Sequence, residues 1–262
     1  MRRVEDKFYE NIYDKEMDLD RVKRIKEIAP FKRIKRELVK GNVKDSGKII
    51  EIGCGLGEYL ELFKKAELYG TDISLAALEK AKLYCKRAKF FRADCRKLPL
   101  DNESFDSVLL PDIIEHIDDY EKVLDEAARI TKKNGRIVII THFSNRYKNK
   151  EYEKMSKGTG MMGEGGDLRA YGLELIDKLK KRGFINIKKR YLFSPLTLMI
   201  YNLKEKILER KGIKRGEVLS GKITENKGIN IYSKILYLMY KIDYYLFSRA
   251  RGNIIFLVME KK

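Results

Sequence analysis

Glu51 stands two positions before Gly53, Gly55 and Gly57, in a run that reads Lys-Ile-Ile-Glu-Ile-Gly-Cys-Gly-Leu-Gly from residue 48. Residues without a Cβ let the backbone take positive φ and let a ligand approach its N–H groups closely. A loop of this kind also suits dinucleotides, whose pattern sets its third glycine one residue later. Glu51 tips the balance, because a carboxylate at the strand end opposes a pyrophosphate and suits a cationic sulfonium or ammonium. Asp72 follows the glycines by roughly 20 residues, the distance at which a strand-end carboxylate accepts hydrogen bonds from both hydroxyls of a ribose. Its competing role is to cap the next helix, which Ser74 is able to do itself. His116, one of two histidines in the chain and adjacent to Glu115, is a candidate general base near neutral pH. Structural satisfaction inside the site is the other reading of that pair.

The elements that must hold these groups follow from periodicity. Residues 48–52 form a strand that ends in the glycine turn, and a helix is expected over 59–66. A second strand ends at Asp72 and Ile73, a helix covers 75–88, and a third strand ends before Asp94 and Cys95. The apolar run before Pro111 is a fourth strand. Residues 119–131 are helical, Lys-Lys-Asn-Gly at 132–135 is a C-terminal cap and turn, and 136–141 is a fifth strand. A helix over 173–182, a sixth strand from Gly183 and a final strand at 253–259 complete the pattern. Residues 1–45 read as amphipathic helix, with Ile34 and Leu38 in a phase reset by Pro30; Tyr13 is a candidate for the pocket wall.

The glycine run, Asp72, the Asp94-Cys95 pair, the Leu98-Pro99 pair leading to Phe105-Asp106, and Glu115-His116 occur in one order from residue 48 to about 142. In that order they resemble the class I S-adenosylmethionine-dependent methyltransferases, of the broad small-molecule and lipid type. The resemblance implies an α/β fold: a Rossmann-like, seven-stranded, mostly parallel sheet with helices on both faces. To it are added the N-terminal helices and a helical insertion before the last strand. The implied cofactor is S-adenosyl-L-methionine, bound by Glu51, Gly53, Cys54, Gly55, Gly57, Asp72, Ile73, Asp94, Cys95 and Pro111, with Asp94 and Cys95 at the adenine. The resemblance also implies that His116 and Glu115 flank the methyl group and the acceptor. Relatives often carry His-x-Arg-x-aromatic near residue 167. Here Asp167 takes the histidine position, leaving Arg169 and Tyr171 as acceptor-side candidates. Leu110-Pro-Asp-Ile113 is not the Asn/Asp-Pro-Pro-aromatic tetrad of amino-methyltransferases acting on adenine or glutamine, and no Pro-Cys pair stands there for cytosine chemistry.

Composition narrows the class. A chain of 262 residues, 44% hydrophobic, buries a full core. The expected division is an N-terminal cap at 1–45, a methyltransferase core at 46–193, a basic helical insertion at 194–251 and a final strand with its tail at 252–262. Three cysteines without metal spacing predict no metal site and a reducing, cytoplasmic setting. The densely charged first 20 residues and the lack of a long apolar run predict neither secretion nor a membrane span. Abundant Lys, Glu and Ile are thermophile-like. The net charge of +18 divides into +5 over residues 1–50, −2 over 51–145 and +15 over 146–262. The basic surplus therefore lies mostly in the C-terminal half, where the resemblance implies acceptor recognition and where an anionic partner or simply a solubilising surface explains it. Amphipathic stretches at 196–211 and 229–247 suit an amphiphilic or lipid-linked acceptor, an anionic membrane surface to which the protein is peripheral, or an oligomer contact. RNA methylation by the basic half and a non-catalytic binding protein are the alternatives.

Overall fold

The computed structural model describes residue 10 and residues 30–142, 173–192, 227–249, 252 and 254–262. Tyr13, Arg169 and Tyr171, the glycine-rich stretch 148–166 and the amphipathic stretch 196–211 lie outside the described residues. The elements are α1 (Pro30–Lys40), β1 (Lys48–Ile52), a 3-10 turn (Leu60–Leu62), β2 (Glu67–Asp72), α2 (Leu75–Tyr84), β3 (Ala88–Arg92) and β4 (Phe105–Pro111). After a second 3-10 turn (Ile114–His116) come α3 (Tyr120–Ile130), β5 (Thr131–His142), α4 (Glu174–Lys181), β6 (Phe184–Leu192), α5 (Lys227–Phe247) and β7 (Ile254–Lys261).

The seven strands form one sheet in the order β3-β2-β1-β4-β5-β7-β6. Only β7 runs antiparallel to its neighbours β5 and β6, and the predicted Rossmann-like class is the one observed. The strands at the centre are apolar on both sides because both faces are covered. Alternate residues serve opposite layers. Ile50, Ile52, Val108, Leu110, Ile137 and Ile139 pack with α3 and α4. Ile49, Leu109, Val138, Ile140 and Phe256 pack with α1 and Tyr240 of α5. The strand order reverses between β1 and β4, so loops leaving their carboxyl ends diverge and open the crevice in which such sheets bind ligands.

Two expectations give way. Residues 59–66 contain a single 3-10 turn instead of a helix. The cause is Asp45, whose carboxylate accepts from the N–H groups of Lys64, Lys65 and Ala66. Those donors are thereby taken from helical carbonyls, and the chain drops directly into β2. The Lys-Lys-Asn-Gly turn at 132–135 is absorbed into β5. Asn134 does take the left-handed conformation of a turn, with φ 61. The pairing with β4 steps from Phe105–Thr131 to Ser107–Arg136, so the extra residues form a bulge.

Candidate active site

β1 delivers Glu51 to the crevice. Its period-2 neighbour Ile49 is in the α1-side layer, and Glu51 itself is buried with Oε2 lacking any hydrogen-bond partner. Burial, and then the charge of Glu58, push its pKa well above the ordinary carboxylate value, while the Leu60 backbone N–H partly offsets them. An orphaned buried carboxylate oxygen is costly, and a cationic ligand relieves that cost. The loop that follows is held tightly. Gly53 has φ +66, and a Cβ there would stand 2.1 Å from Ile113 Cδ1. The glycine thus lets the loop after β1 touch the loop after β4.

Asp72 at the end of β2 accepts from Gly55 N at 2.8 Å and Ser74 N at 3.0 Å. It ties the glycine loop to the start of α2. Ser74 caps that helix by accepting from Ala77 N, as expected. Burial raises the Asp72 pKa against the pull of those N–H groups. Cys54 is buried and its N–H donates to Thr71 O. The Ile73 carbonyl accepts from Arg92 Nε at 2.8 Å. Beyond β3, Asp94 accepts from Arg96 through N, Nε and Nη2 at 2.9–3.0 Å, which fixes the carboxylate's plane. Burial, then the Asp94 charge, push the Cys95 thiol up to about 12, so it stays protonated. Pro111 ends β4 beside Ile140.

The other wall is where sequence reasoning fell short. Asp112 has φ 51, an uncommon conformation for a residue with a Cβ. Its carboxylate is held by Lys35 Nζ, 2.5 Å from Oδ1 and 2.7 Å from Oδ2. Lys35 is only 2% exposed and comes from α1, its ammonium also 4.2 Å from the Phe31 ring centroid. α1 in addition clamps the turn after the glycines through Lys32–Glu58 at 2.9 Å and Arg36–Glu61 at 3.3 Å. α1 therefore packs against the turn after the glycine loop and the segment after β4.

Glu115 is buried and His116 is exposed at the surface of the turn, although burial still lowers the His116 pKa against the pull of the Asp112 charge. Glu115 is brought to β5, where Thr141 Oγ1 donates to its Oε2 at 2.8 Å. His142 Nε2 lies 3.9 Å from its Oε1. Burial, then the charge of Asp112, raise the Glu115 pKa to about 8. Burial, then the charge of Lys35, lower that of His142 to about 4. At neutral pH the glutamic acid is largely protonated and the imidazole neutral, so neither is poised as a strong base. Tyr59 joins the two walls, since the charges of both Asp112 and Glu51, after burial, hold its hydroxyl protonated. The available signals for the missed residues were slight: a second histidine directly after an apolar strand, and a lysine beside Ile34 on the buried stripe of α1.

The sequence pattern of a methyltransferase-domain family matches residues 50–139. The chain is 32% identical to the Methanocaldococcus jannaschii protein MJ1123 over 186 residues, 71% of this chain and 82% of that one. It is 30% identical to phosphatidylethanolamine N-methyltransferase of Cereibacter sphaeroides over 105 residues, 37% of this chain and 52% of the other. Against such functionally named relatives the chain spans about half their length or less. Among solved structures, phosphoethanolamine N-methyltransferase 2 of Haemonchus contortus with S-adenosyl-L-methionine superposes with a TM-score of 0.60 at 19% identity. That superposition covers 97% of this chain and 60% of the other, and it speaks to the fold.

Proposed function

The chain belongs to the class I S-adenosylmethionine-dependent methyltransferases, and from that premise we propose that it methylates a small acceptor that is amphiphilic or lipid-linked. The cofactor fits the residues present. The orphaned Glu51 Oε2 suits its cationic end, Gly53 leaves no side chain in the loop, and Asp72 and Asp94 offer carboxylates where a ribose and an adenine amine are read. When bound, the cofactor supplies an electrophilic methyl group on a sulfonium.

The chain's own part is to position the acceptor. Asp112, Glu115, His142 and Lys35 form a half-enclosed polar wall at the carboxyl ends of β4 and β5, beside the glycine loop. With Glu115 largely protonated and His142 neutral at pH 7, the wall offers hydrogen bonds more than proton abstraction. In-line methyl transfer gains most from such positioning.

One observation carries the choice of acceptor. α5 packs against α1, the helix that places Lys35 in the site, and leaves an apolar stripe outside: Ile235, Leu238, Ile242, Tyr245 and Leu246, with Leu238 58% and Tyr245 75% exposed. Lys234 and Arg249 are exposed on the same helix and just beyond it. Basic residues beside an apolar, Tyr-bearing stripe suit an anionic bilayer surface. No helix among the described residues is long and apolar enough to cross a membrane. The phosphatidylethanolamine and ubiquinone/menaquinone methyltransferases among the relatives support the same reading.

The test is transfer of labelled methyl from S-adenosylmethionine into separated lipid, RNA and small polar fractions of cell extract. Label in the lipid or amphiphile fraction is the expected result. Label confined to RNA would reject this acceptor class in favour of RNA methylation. Cofactor binding with no label anywhere would favour a non-catalytic binding protein.

A further inference from the structure

Asp112, Glu115 and His142 come from the segments after β4 and at the end of β5, and each presents one ligand atom within 4.8 Å of the others. His142 Nε2 and Glu115 Oε1 are 3.9 Å apart. Donors on one tetrahedral or octahedral ion at bond lengths of about 2.0–2.2 Å stand roughly 3–3.5 Å from one another. Small side-chain rotations therefore bring these three to a shared ion. The second observation is the state of Glu115. Its side chain is fully buried, its Oε2 is fixed by the Thr141 hydroxyl, and its Oε1, on the histidine side, accepts no hydrogen bond. No donor among the described residues reaches this buried oxygen, which leaves it open to a ligand, and a bound cation displaces the proton that Glu115 otherwise holds at neutral pH.

We propose that Asp112, Glu115 and His142 form a binding site for a first-row divalent cation, of the manganese, iron or zinc kind. Two carboxylate oxygens and one imidazole nitrogen are hard and borderline donors. The imidazole favours such ions over magnesium and calcium, which prefer all-oxygen shells. Three protein donors leave open positions. If the methyltransferase reading holds, those positions face the acceptor, and an oxygen of the acceptor is the ligand that completes the site. Thr141 holds Glu115 in orientation, as groups behind a metal ligand commonly do. Lys35 is the built-in competitor, because its ammonium already rests on both oxygens of Asp112. Lys35 opposes a divalent ion by charge and shows at the same time that this carboxylate is set to receive a cation.

Titration of the full chain with Mn2+, followed by calorimetry and by the electron paramagnetic resonance of free Mn2+, tests the proposal without any turnover. The expected result is saturable uptake near one equivalent. His142→Ala and Glu115→Gln each weaken it by at least about tenfold, whereas Lys35→Met tightens it. Each variant is checked by circular dichroism and by S-adenosylhomocysteine binding. His142, partly exposed, provides a variant should the buried Glu115→Gln fail to fold. No uptake of Mn2+ or Zn2+ by wild-type protein that binds S-adenosylhomocysteine would overturn the cation site. So would uptake unaltered by His142→Ala, or weakened by Lys35→Met. Failure to bind S-adenosylhomocysteine would strike the methyltransferase reading, and Mn2+ uptake would still decide the cation site independently.

Discussion

Glu51 and Glu115 are both buried carboxyls with one oxygen that no donor among the described residues reaches, an arrangement that costs stability. Replacing Glu51 by Gln removes a buried charge without changing shape, so thermal stability should hold or rise. S-adenosylmethionine binding should weaken by roughly tenfold or more, the scale of a hydrogen bond to a charged group. Equal affinity in calorimetry would remove Glu51 from the cofactor site. Glu115 and His142 give a pH signature. A folded Glu115 near 8 against an ordinary 4.5 favours the folded state at low pH, and that advantage is lost as pH rises to 8. A folded His142 near 4 against 6.5 acts with the opposite sign, its stability being lost as pH falls from 6.5 through 4. The two oppose each other between 4.5 and 6.5. From about 6.5 to 8 the His142 effect has ended and the Glu115 effect remains, with Glu51 acting in the same direction. The urea midpoint should therefore fall over that upper window, and Glu115→Gln should flatten the fall. An identical slope in the variant would refute the assignment.

At the scale of elements, what was legible in the sequence is what local spacing encodes. The strand, glycine turn and Asp72 lie within one βαβ-like unit, and Asp94 closes the next strand. The cluster of Asp112, Glu115, His142 and Lys35 escaped because its contacts are long-range. Lys35 meets Asp112 across 77 positions, and Thr141 meets Glu115 across 26. Glu115 and His116 differ in burial, yet His116 feels the charge of Asp112 and in turn acts on His142, a grouping that adjacency in sequence does not show. The missing helix at 59–66 has the same origin, since Asp45 acts from outside that window. Asp45→Ala should cost about 1 kcal/mol of stability in urea denaturation and loosen the turn beneath Glu51. A change within experimental error would show that the three N–H bonds do not shape that turn. α5 presents one apolar stripe, with Leu238 and Ile242 in it, to solvent, so Leu238→Glu with Ile242→Glu should leave the melting temperature nearly unchanged. The same pair of changes should abolish sedimentation with anionic vesicles. Loss of a dimer instead, by light scattering, would reassign the stripe to subunit contact.

For the whole molecule, the sheet order and the reversal between β1 and β4 determine where a ligand goes. The charge is uneven along the chain, near neutral around the glycine loop and +15 over residues 146–262. The sequence motifs describe the glycine loop and its carboxylates, and the described structure adds the cluster of Asp112, Glu115, His142 and Lys35 in the neighbouring segments. The central claim is that this crevice binds S-adenosylmethionine through Asp72 among others. Calorimetry of the full chain with S-adenosylmethionine and S-adenosylhomocysteine measures it directly. The account predicts one saturable site in the wild type, with affinity at least about tenfold lower in Asp72→Ala. Folded wild-type protein that binds neither compound, or an Asp72→Ala variant that binds them equally well, would contradict it.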